Sequence, residues 1–171
     1  MMATTATQIP LEQYLQTAYE PDCDYVEGEL EERAVGEYDH ATWQGILVMF
    51  FGARQREWGI KVRPELRVRV GPDRVRIPDV CLLSHSAPIE RIITHPPLAV
   101  FEILSPEDRM TRVMDRLSDF DRMGIGAIWV VDPRKSSYYR YSSGQLSPAS
   151  LFVLPGSDYR VEMSEIAALI D

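Results

Sequence analysis

A single acidic residue, Glu102, interrupts an otherwise apolar strand and sets the strictest condition on how this chain can fold. The predicted strand runs from Leu98 to Leu104, and Ser105 and Pro106 end it. A carboxylate inside an apolar strand is costly to bury unless it is paired with a base or binds a cation. The fold must therefore supply a positive partner for Glu102.

A second acid occupies a similar place in the preceding predicted strand. Asp79 follows Pro78 within a mostly apolar segment, residues 75–83. Two carboxylates on neighbouring strands suit a hard divalent ion, because Mg²⁺ takes oxygen ligands and usually only one or two protein carboxylates. Alternatively, each acid forms a salt bridge or reaches water at a strand end, since structural ion pairs also produce buried acids. Spacing alone leaves both interpretations open.

The composition indicates one domain of ordinary size. The chain has 171 residues, of which 45% are hydrophobic, so it can bury a full core. It contains no apolar run of about 18 residues, so we expect no contact with a membrane. The first residues do not resemble a signal peptide, and Cys23 and Cys81 lack a metal-binding spacing. We expect a single cytoplasmic domain over residues 1–171, with residues 1–9 flexible.

Charge is distributed unevenly along the chain. The net charge of −8 argues against tight, non-specific binding to nucleic acid, which depends on neutralising phosphates. A local basic groove remains compatible with this balance, because the arginines are concentrated in two segments. They are Arg63, Arg67, Arg69, Arg74 and Arg76, followed by Arg109, Arg112, Arg116 and Arg122. The alternative is that these arginines lie on solvated faces.

Hydrophobic periodicity predicts helices and strands with no internal repeat or linker. The predicted helices cover residues 10–18, 39–58, 107–123 and 164–170, and the predicted strands cover 65–71, 74–83, 98–104, 127–132 and 138–142, with a tight turn between two short strands in 25–30. Gly59 and Gly124 would end the second and third helices. This order predicts an α/β or α+β fold, in which helices cover a sheet.

The helix predicted over residues 107–123 would bring basic side chains towards the two acids. Arg109 and Arg116 are seven residues apart and therefore lie nearly on one line of a helix, beside its apolar stripe. A cation there would oppose the charge of a phosphoryl-transfer transition state, while a metal ion polarises the phosphate. The alternative is that both arginines extend along the helix surface.

These residues together resemble the Uma family of restriction endonucleases, which is common in bacteria, especially cyanobacteria, and belongs to the PD-(D/E)XK nuclease superfamily. The resemblance rests on residues 101–110, Asp115, Arg116, Phe120, Gly124 and 128–133, together with 25–30, His40 and 77–80. It implies a restriction-endonuclease-like mixed β-sheet flanked by helices. It also implies an endonuclease that hydrolyses DNA with Mg²⁺ or Mn²⁺ and forms a homodimer.

The resemblance assigns roles to three main residues. Asp79 and Glu102 match the metal-binding acids of the family. In the wider superfamily a lysine lies two residues after the second acid, where this chain has Leu104. Uma sequences commonly carry the lysine on the following helix, at the position of Arg116. Arginine keeps the positive charge but stays protonated, so it cannot act as a general base.

Two further residues match recurrent family positions. Glu29, in the N-terminal hairpin, would add a third carboxylate to the metal site. His40 would contact metal-bound water or phosphate, or cap the long helix. With Arg109, these residues complete the set of candidate site residues.

Three functions remain open from the sequence. The first is a Mg²⁺-dependent DNA hydrolase in which Asp79 and Glu102 hold the metal and Arg116 stabilises the transition state. The second is a module that keeps the nuclease fold but binds nucleic acid or protein without cleaving it. The third is a hydrolase of a small substrate, in which the two acids act as acid and base. An open groove with phosphate-directed arginines favours the first, and a closed pocket favours the third.

The C-terminal region also predicts a homodimer. Aromatic residues are enriched at interface cores, and an uncovered strand edge invites pairing. The apolar residues concerned, which have little predicted helix to cover them, are Tyr138, Tyr139, Tyr141, Leu151 and Phe152. The alternative is that the last helix, Ser164 to Ile170, folds back and buries them within one chain.

Overall fold

The computed structural model of the protein describes residues 7–34 and 36–170. The predicted flexible segment, residues 1–9, therefore lies mostly outside the described residues, and Ile9 within them is hydrogen bonded to Gly28 and Tyr25. The helices are α1 (Leu11–Gln16), α2 (Tyr38–Gly52), α3 (Gln55–Trp58), α4 (Met110–Met123) and α5 (Met163–Ala167). Within this part of the chain, every helix is too short or too polar to cross a membrane.

Within residues 7–34 and 36–170, twelve strands form three sheets. They are β1 (Asp24–Val26), β2 (Glu29–Glu31), β3 (Ile60–Pro64), β4 (Val68–Gly71), β5 (Arg74–Arg76), β6 (Val80–Ser84), β7 (Ala99–Ile103), β8 (Ala127–Asp132), β9 (Ser137–Ser142), β10 (Gln145–Pro148), β11 (Leu151–Val153) and β12 (Arg160–Glu162). The six-stranded sheet has the order β10-β9-β8-β7-β6-β3, the four-stranded sheet has the order β2-β1-β5-β4, and β11 pairs with β12.

The six-stranded sheet separates two apolar cores. Its strands β7 and β8 are parallel, and all its other pairs are antiparallel. Because successive side chains of a strand point to opposite faces, Phe101 packs with α2 on one side and Val100 packs with α4 on the other. This arrangement confirms the predicted mixed sheet flanked by helices.

The strand predicted over residues 74–83 is in fact two strands in different sheets. Strand β5 ends at Arg76 and β6 begins at Val80, with Ile77, Pro78 and Asp79 between them. Proline has no N–H to donate, so it interrupts the hydrogen-bond ladder. The prediction of one continuous strand was wrong, and the break places Asp79 at the very end of β6.

Other element boundaries also differ from the sequence predictions. The helix predicted over 39–58 is divided into α2 and α3, although Gly59, in a left-handed conformation with φ 63°, ends α3 as predicted. Strand β3 was not predicted at all. Helix α4 begins at Met110 because residues 105–108 form a turn in which Asp108 accepts a 2.7 Å hydrogen bond from the Ser105 N–H. Gly124 ends α4 as predicted.

Tyr141 and Phe152 are buried within the chain, so the prediction that they are uncovered was wrong. Tyr138 and Tyr139 are half-buried, and Leu151 is 39% exposed. Phe152 lies in the core on the α2 side, where Ile166 of α5 also packs, and Tyr141 lies in the core on the α4 side. The Tyr138 ring contacts Trp43 with a centroid separation of 5.6 Å. Strand β9 is not an edge strand, because β10 pairs with it. Tyr138, Tyr141 and Phe152 therefore no longer support a homodimer. The homodimer stays a prediction.

Candidate active site

Asp79 and Glu102 face each other across the pairing of β6 with β7. Val80 pairs with Phe101 in antiparallel register, so the next position places Asp79 opposite Glu102. The Ile103 N–H donates a 2.7 Å hydrogen bond to Asp79 Oδ2. Both acids are 3% exposed, and both line a cavity of about 20 Å³, which we call the acid cavity. The two carboxylates therefore lie on the same face of the sheet, the face that α4 covers.

Two basic side chains contact Asp79. Arg33 Nη2 lies 2.7 Å from Asp79 Oδ1, and His40 Nε2 lies 3.2 Å from the same oxygen. Burial alone would raise the pKa of Asp79, but the His40 hydrogen bond and the Arg33 charge outweigh it and lower that pKa. The hydrogen bond to Asp79 also raises the pKa of His40, against the effect of burial. Asp79 is therefore held as a carboxylate.

Glu102 has one partnered oxygen and one free oxygen. Its Oε2 accepts a 3.0 Å hydrogen bond from Arg116 Nη1. Its Oε1 is buried and accepts no hydrogen bond from any described residue. Burial raises the pKa of Glu102 to about 8, although the Arg116 guanidinium opposes that shift. A buried acceptor without a partner costs about 1–3 kcal/mol, so Oε1 favours binding of a proton or a cation.

Arg116 joins the acid cavity to the N-terminal hairpin. Its Nε donates a 3.0 Å hydrogen bond to Asp24 Oδ2. Burial would lower the pKa of Arg116, but the charges of Glu102 and Asp24 outweigh burial and raise it. Asp24 is itself fully buried and also accepts hydrogen bonds from Arg76 and from the Ile77 N–H. The acid that reaches Arg116 from this hairpin is therefore Asp24.

Glu29 does not join the two acids. It is exposed at the start of β2 and does not line the acid cavity. The residue of β2 that pairs with Asp24 is Glu31, whose carboxylate lies 2.7 Å from Arg76 rather than near Glu102. The structure thus gives no geometric support to Glu29 as a third metal ligand, because the hairpin register directs it elsewhere.

The other sequence candidates lie in or beside the site. His40, near the start of α2, and Arg116 both line the acid cavity, and Leu104 follows β7 directly. Arg109 is exposed at the N-cap of α4 and lines a neighbouring cavity. The sequence reasoning missed Asp24 and Arg33. Arg33 could have been noticed as the one basic residue in the acidic stretch 27–39.

The donor set of the acid cavity fits a magnesium ion. Asp79 and Glu102 supply carboxylate oxygens, and Glu102 Oε1 is free to bind. Within residues 7–34 and 36–170 no cluster of three or more His, Cys, Asp or Glu side chains could hold a metal ion. Mg²⁺ needs only one or two protein carboxylates, because water and phosphate oxygens complete its octahedron. The cavity volume of about 20 Å³ is enough for one water-sized species.

A larger cavity lined by arginines adjoins the acid cavity. It has a volume of about 220 Å³, and its lining includes Arg33, Arg109, Arg112 and Arg116. We call it the arginine cavity. Arg33 and Arg116 line both cavities, so the two are neighbours that share a wall. Three acids, Glu32, Glu107 and Asp108, also line this cavity, so its four arginines leave it only slightly positive.

A mixed sheet that presents two buried acids beside an arginine-lined cavity is a nuclease-like arrangement. The chain belongs to the Uma2 family, described as "Putative restriction endonuclease", which matches residues 11–162. This match confirms the family resemblance seen in the sequence, and the family supports a nuclease.

The fold has a solved counterpart. A crystal structure from Anabaena variabilis ATCC 29413, described as "a putative nuclease belonging to DUF820", superposes with a TM-score of 0.81. The superposition covers 95% of this chain and 99% of the other, with 21% sequence identity. At that identity the similarity establishes the fold alone. No curated protein matches the chain.

Proposed function

We propose that the protein is a metal-dependent endonuclease that hydrolyses DNA phosphodiester bonds. The observation that carries this proposal is the free, buried Oε1 of Glu102, which lies in a cavity shared with Asp79 and bordered by arginines. Asp79 and Glu102 would hold Mg²⁺ or Mn²⁺. Such an ion supplies a Lewis acid that polarises a phosphate oxygen and lowers the pKa of water.

The residues around the acids would orient the substrate and keep Asp79 ionised. Arg33 and His40 hold Asp79 as a carboxylate through their contacts with Oδ1. Arg116 uses Nε and Nη1 to bind Asp24 and Glu102, while no described residue accepts a hydrogen bond from its Nη2. A fixed guanidinium at this place would stabilise the negative charge that develops on the phosphate in the transition state.

The arginine cavity would hold the DNA backbone beside the cleavage site. Arg109 and Arg112 form no ion pair with any described residue, so both are available to phosphate. Phosphate contacts of this kind position a nucleic acid without reading its sequence. Because Arg33 and Arg116 line both this larger cavity and the acid cavity, the geometry favours a polymeric substrate over a small molecule enclosed in a pocket.

A second candidate function is binding without cleavage. The observation that favours it is the position of Arg116, which pairs with Glu102 where a lysine is common in the family. Arginine stays protonated and cannot take a proton from water. A protein of this kind would bind DNA equally well with and without Mg²⁺, and would leave it intact.

Incubation with supercoiled plasmid and with linear DNA, in Mg²⁺, in Mn²⁺ and in EDTA, tests the proposal. We expect nicked or linear products with either metal and none in EDTA. Glu102→Gln and Asp79→Asn should remove this activity, whereas Glu165→Gln, at an exposed acid of α5, should keep it. Cleavage that persists in EDTA or in Glu102→Gln would contradict the proposed metal site. Binding without cleavage in both metals would establish the second candidate. The same incubation with RNA shows whether the substrate is DNA or RNA.

A further inference from the structure

A third cavity adjoins the acid cavity. It has a volume of about 430 Å³, and we call it the tyrosine cavity after Tyr139 in its wall. Ser105 and Asp108 line both this cavity and the acid cavity, so these two cavities share a wall. The acid cavity therefore adjoins both the arginine cavity and the tyrosine cavity, and Asp108 lines all three.

Tyr139 lies in the same cross-sheet row as the two acids. Glu102 pairs with Val130 on β8, and Val130 pairs with Tyr139 on β9. Residues that pair across a sheet point to the same face, so the Tyr139 side chain and the acids lie on one side of the sheet. Two strand spacings separate Tyr139 from Glu102, which is about 10 Å. A nucleotide chain bound at Glu102 can span that distance with its next units.

The lining of the tyrosine cavity combines apolar surface with positive charge. The Tyr139 ring, Leu146 and the 47% exposed Met110 supply aromatic and apolar atoms. Arg134 and Lys135 are exposed in the turn between β8 and β9, and neither forms an ion pair with a described residue. Two acids, Asp108 and Asp132, also line this cavity, and Asp132 ends β8 directly before the turn.

Asp132 holds the two basic residues in place. Its Oδ1 accepts hydrogen bonds from the backbone N–H groups of Arg134 and Lys135, at 3.1 and 3.4 Å. The backbone of the turn is therefore constrained, while both cationic side chains remain available. An aromatic platform beside such cations is the combination that proteins use to bind single-stranded nucleic acid.

Ser105 supplies an unpaired polar group in the shared wall. Its hydroxyl is buried and has no hydrogen-bond partner among the described residues. The neighbouring backbone is fixed, because Asp108 accepts a 2.7 Å hydrogen bond from the Ser105 N–H. Most buried polar groups have a partner, so this lone hydroxyl is available to a polar atom that enters either cavity.

We infer that the tyrosine cavity binds one unstacked nucleoside of the nucleic acid strand whose phosphate lies at Asp79 and Glu102. This inference rests on the proposed function. The base would stack on Tyr139 between Leu146 and Met110, and Arg134 and Lys135 would contact the adjoining phosphate. A sugar or phosphate oxygen would accept the Ser105 hydroxyl hydrogen bond. The strand would thus cross the arginine, acid and tyrosine cavities in that order.

Binding of a short, fluorescein-labelled single-stranded oligonucleotide tests this inference without cleavage. Fluorescence anisotropy in EDTA gives the dissociation constant, with DNA and RNA of the same sequence as separate arms. Tyr139→Ala should weaken binding by about tenfold, the scale of one lost base–aromatic stack. The matched control is Tyr159→Ala, at a tyrosine that stacks on Trp58 away from this cavity. That control should bind like the unchanged protein.

Tyr139 also packs against the core, so Tyr139→Ala could weaken binding by misfolding. A second pair of variants controls for that effect. Met110→Glu places a negative charge at the cavity mouth, and an acid in the first turn of α4 suits the helix dipole. It should weaken oligonucleotide binding, whereas Met49→Glu, at an exposed methionine of α2, should not. In a series of oligonucleotides, each with one abasic nucleotide at a different position, binding should be weaker for only one position. That loss of affinity and the loss caused by Tyr139→Ala should not add, because both remove the same stacking contact.

The outcomes separate this inference from the proposed endonuclease activity. If Tyr139→Ala and Met110→Glu bind as tightly as their controls, the inference is wrong even where the unchanged protein cleaves DNA. If binding depends on Tyr139 and on one nucleoside but no metal supports cleavage, the inference stands and the catalytic proposal fails. If the unchanged protein binds neither the DNA nor the RNA oligonucleotide, the inference is wrong, and the plasmid cleavage assay alone decides the endonuclease proposal.

Discussion

Arg116 donates hydrogen bonds of 3.0 Å to both Glu102 and Asp24, and so connects the candidate metal site to the N-terminal hairpin. Asp24 in turn contacts Arg76, a fully buried arginine that also binds Asp119 of α4. A continuous network of ion pairs therefore balances the charge of Glu102 in the acid cavity. The position of Arg116 depends on contacts between parts of the chain that are far apart in sequence.

Substitution of Arg116 tests its role in catalysis. Arg116→Lys should keep or raise any nuclease activity, because it restores the ammonium group common in the family. Arg116→Ala should lower the rate by about 10²-fold or about 3 kcal/mol, the scale of losing one charge-stabilising donor. Single-turnover cleavage assays in Mg²⁺ measure both. Equal rates in the unchanged protein and both variants would remove Arg116 from the mechanism.

Divalent ions should stabilise the folded protein. A ligand that binds only the folded state adds about 2.7 kcal/mol at a concentration of 100 times its dissociation constant. Thermal unfolding monitored by circular dichroism should therefore show a higher Tm in Mg²⁺ or Mn²⁺ than in EDTA. The increase should disappear in Glu102→Gln and persist in Glu165→Gln. An equal increase in Glu102→Gln would place the metal elsewhere.

Arg76 should be the most important arginine for stability. Its guanidinium is fully buried between Asp24, Glu31, Asp115 and Asp119, and removing one partner of a buried ion pair leaves uncompensated charge. Arg76→Met should lower the free energy of unfolding by about 3–5 kcal/mol, measured by urea denaturation. As a control, Arg56→Met on exposed α3 should change it by no more than about 0.5 kcal/mol.

If Arg76→Met unfolds at the same urea concentration as Arg56→Met, the ion network does not hold the hairpin to α4. The remaining arginines, Arg74 and Arg122, would then be sufficient to pair Asp119.

Cys81 should be unreactive in the folded protein. Burial in the core raises the pKa of its thiol to about 12, with a small opposing effect of Arg63. A raised pKa means less thiolate at every lower pH, and thiolate is the reactive form. At a pH of about 9, where an ordinary thiol with a pKa near 8.5 is mostly ionised, Cys81 should stay protonated. Labelling with a thiol reagent should be slow in native buffer and fast in denaturant. Fast native labelling at Cys81 would show that the core opens readily.

The homodimer implied by the family resemblance remains to be measured. A dimer would set two active sites against the two strands of a duplex. Its interface cannot use Phe152 or Tyr141, because the core already buries both. Light scattering at micromolar concentration should give twice the mass of one 19.5 kDa chain. A mass of one chain would exclude the dimer, and with it the cleavage of both strands of a duplex by two paired active sites.

The local patterns of the sequence predicted several elements well. The turn at 25–30, the apolar strand β8 and the glycine ends of α3 and α4 all follow from short-range rules of periodicity and backbone conformation. The predictions of element boundaries failed where a single residue interrupts the local pattern. Pro78 divided one predicted strand into β5 and β6, and the Asp108 turn delayed the start of α4.

The sequence by itself determined that Asp79 and Glu102 needed partners, because an isolated carboxylate in an apolar strand is too costly to bury. The spacing of the predicted helix also brought Arg116 towards them. Only the tertiary structure decided that Arg33 contacts Asp79 and that Asp24 contacts Arg116. Arg33 is 46 residues from Asp79, and Asp24 is 92 residues from Arg116. Contacts at such separations depend on strand order and hairpin register, which no local periodicity encodes. Glu29 matched a family position in the sequence. For the same reason, the sequence could not show that the register of β1 with β2 keeps Glu29 out of the acid cavity.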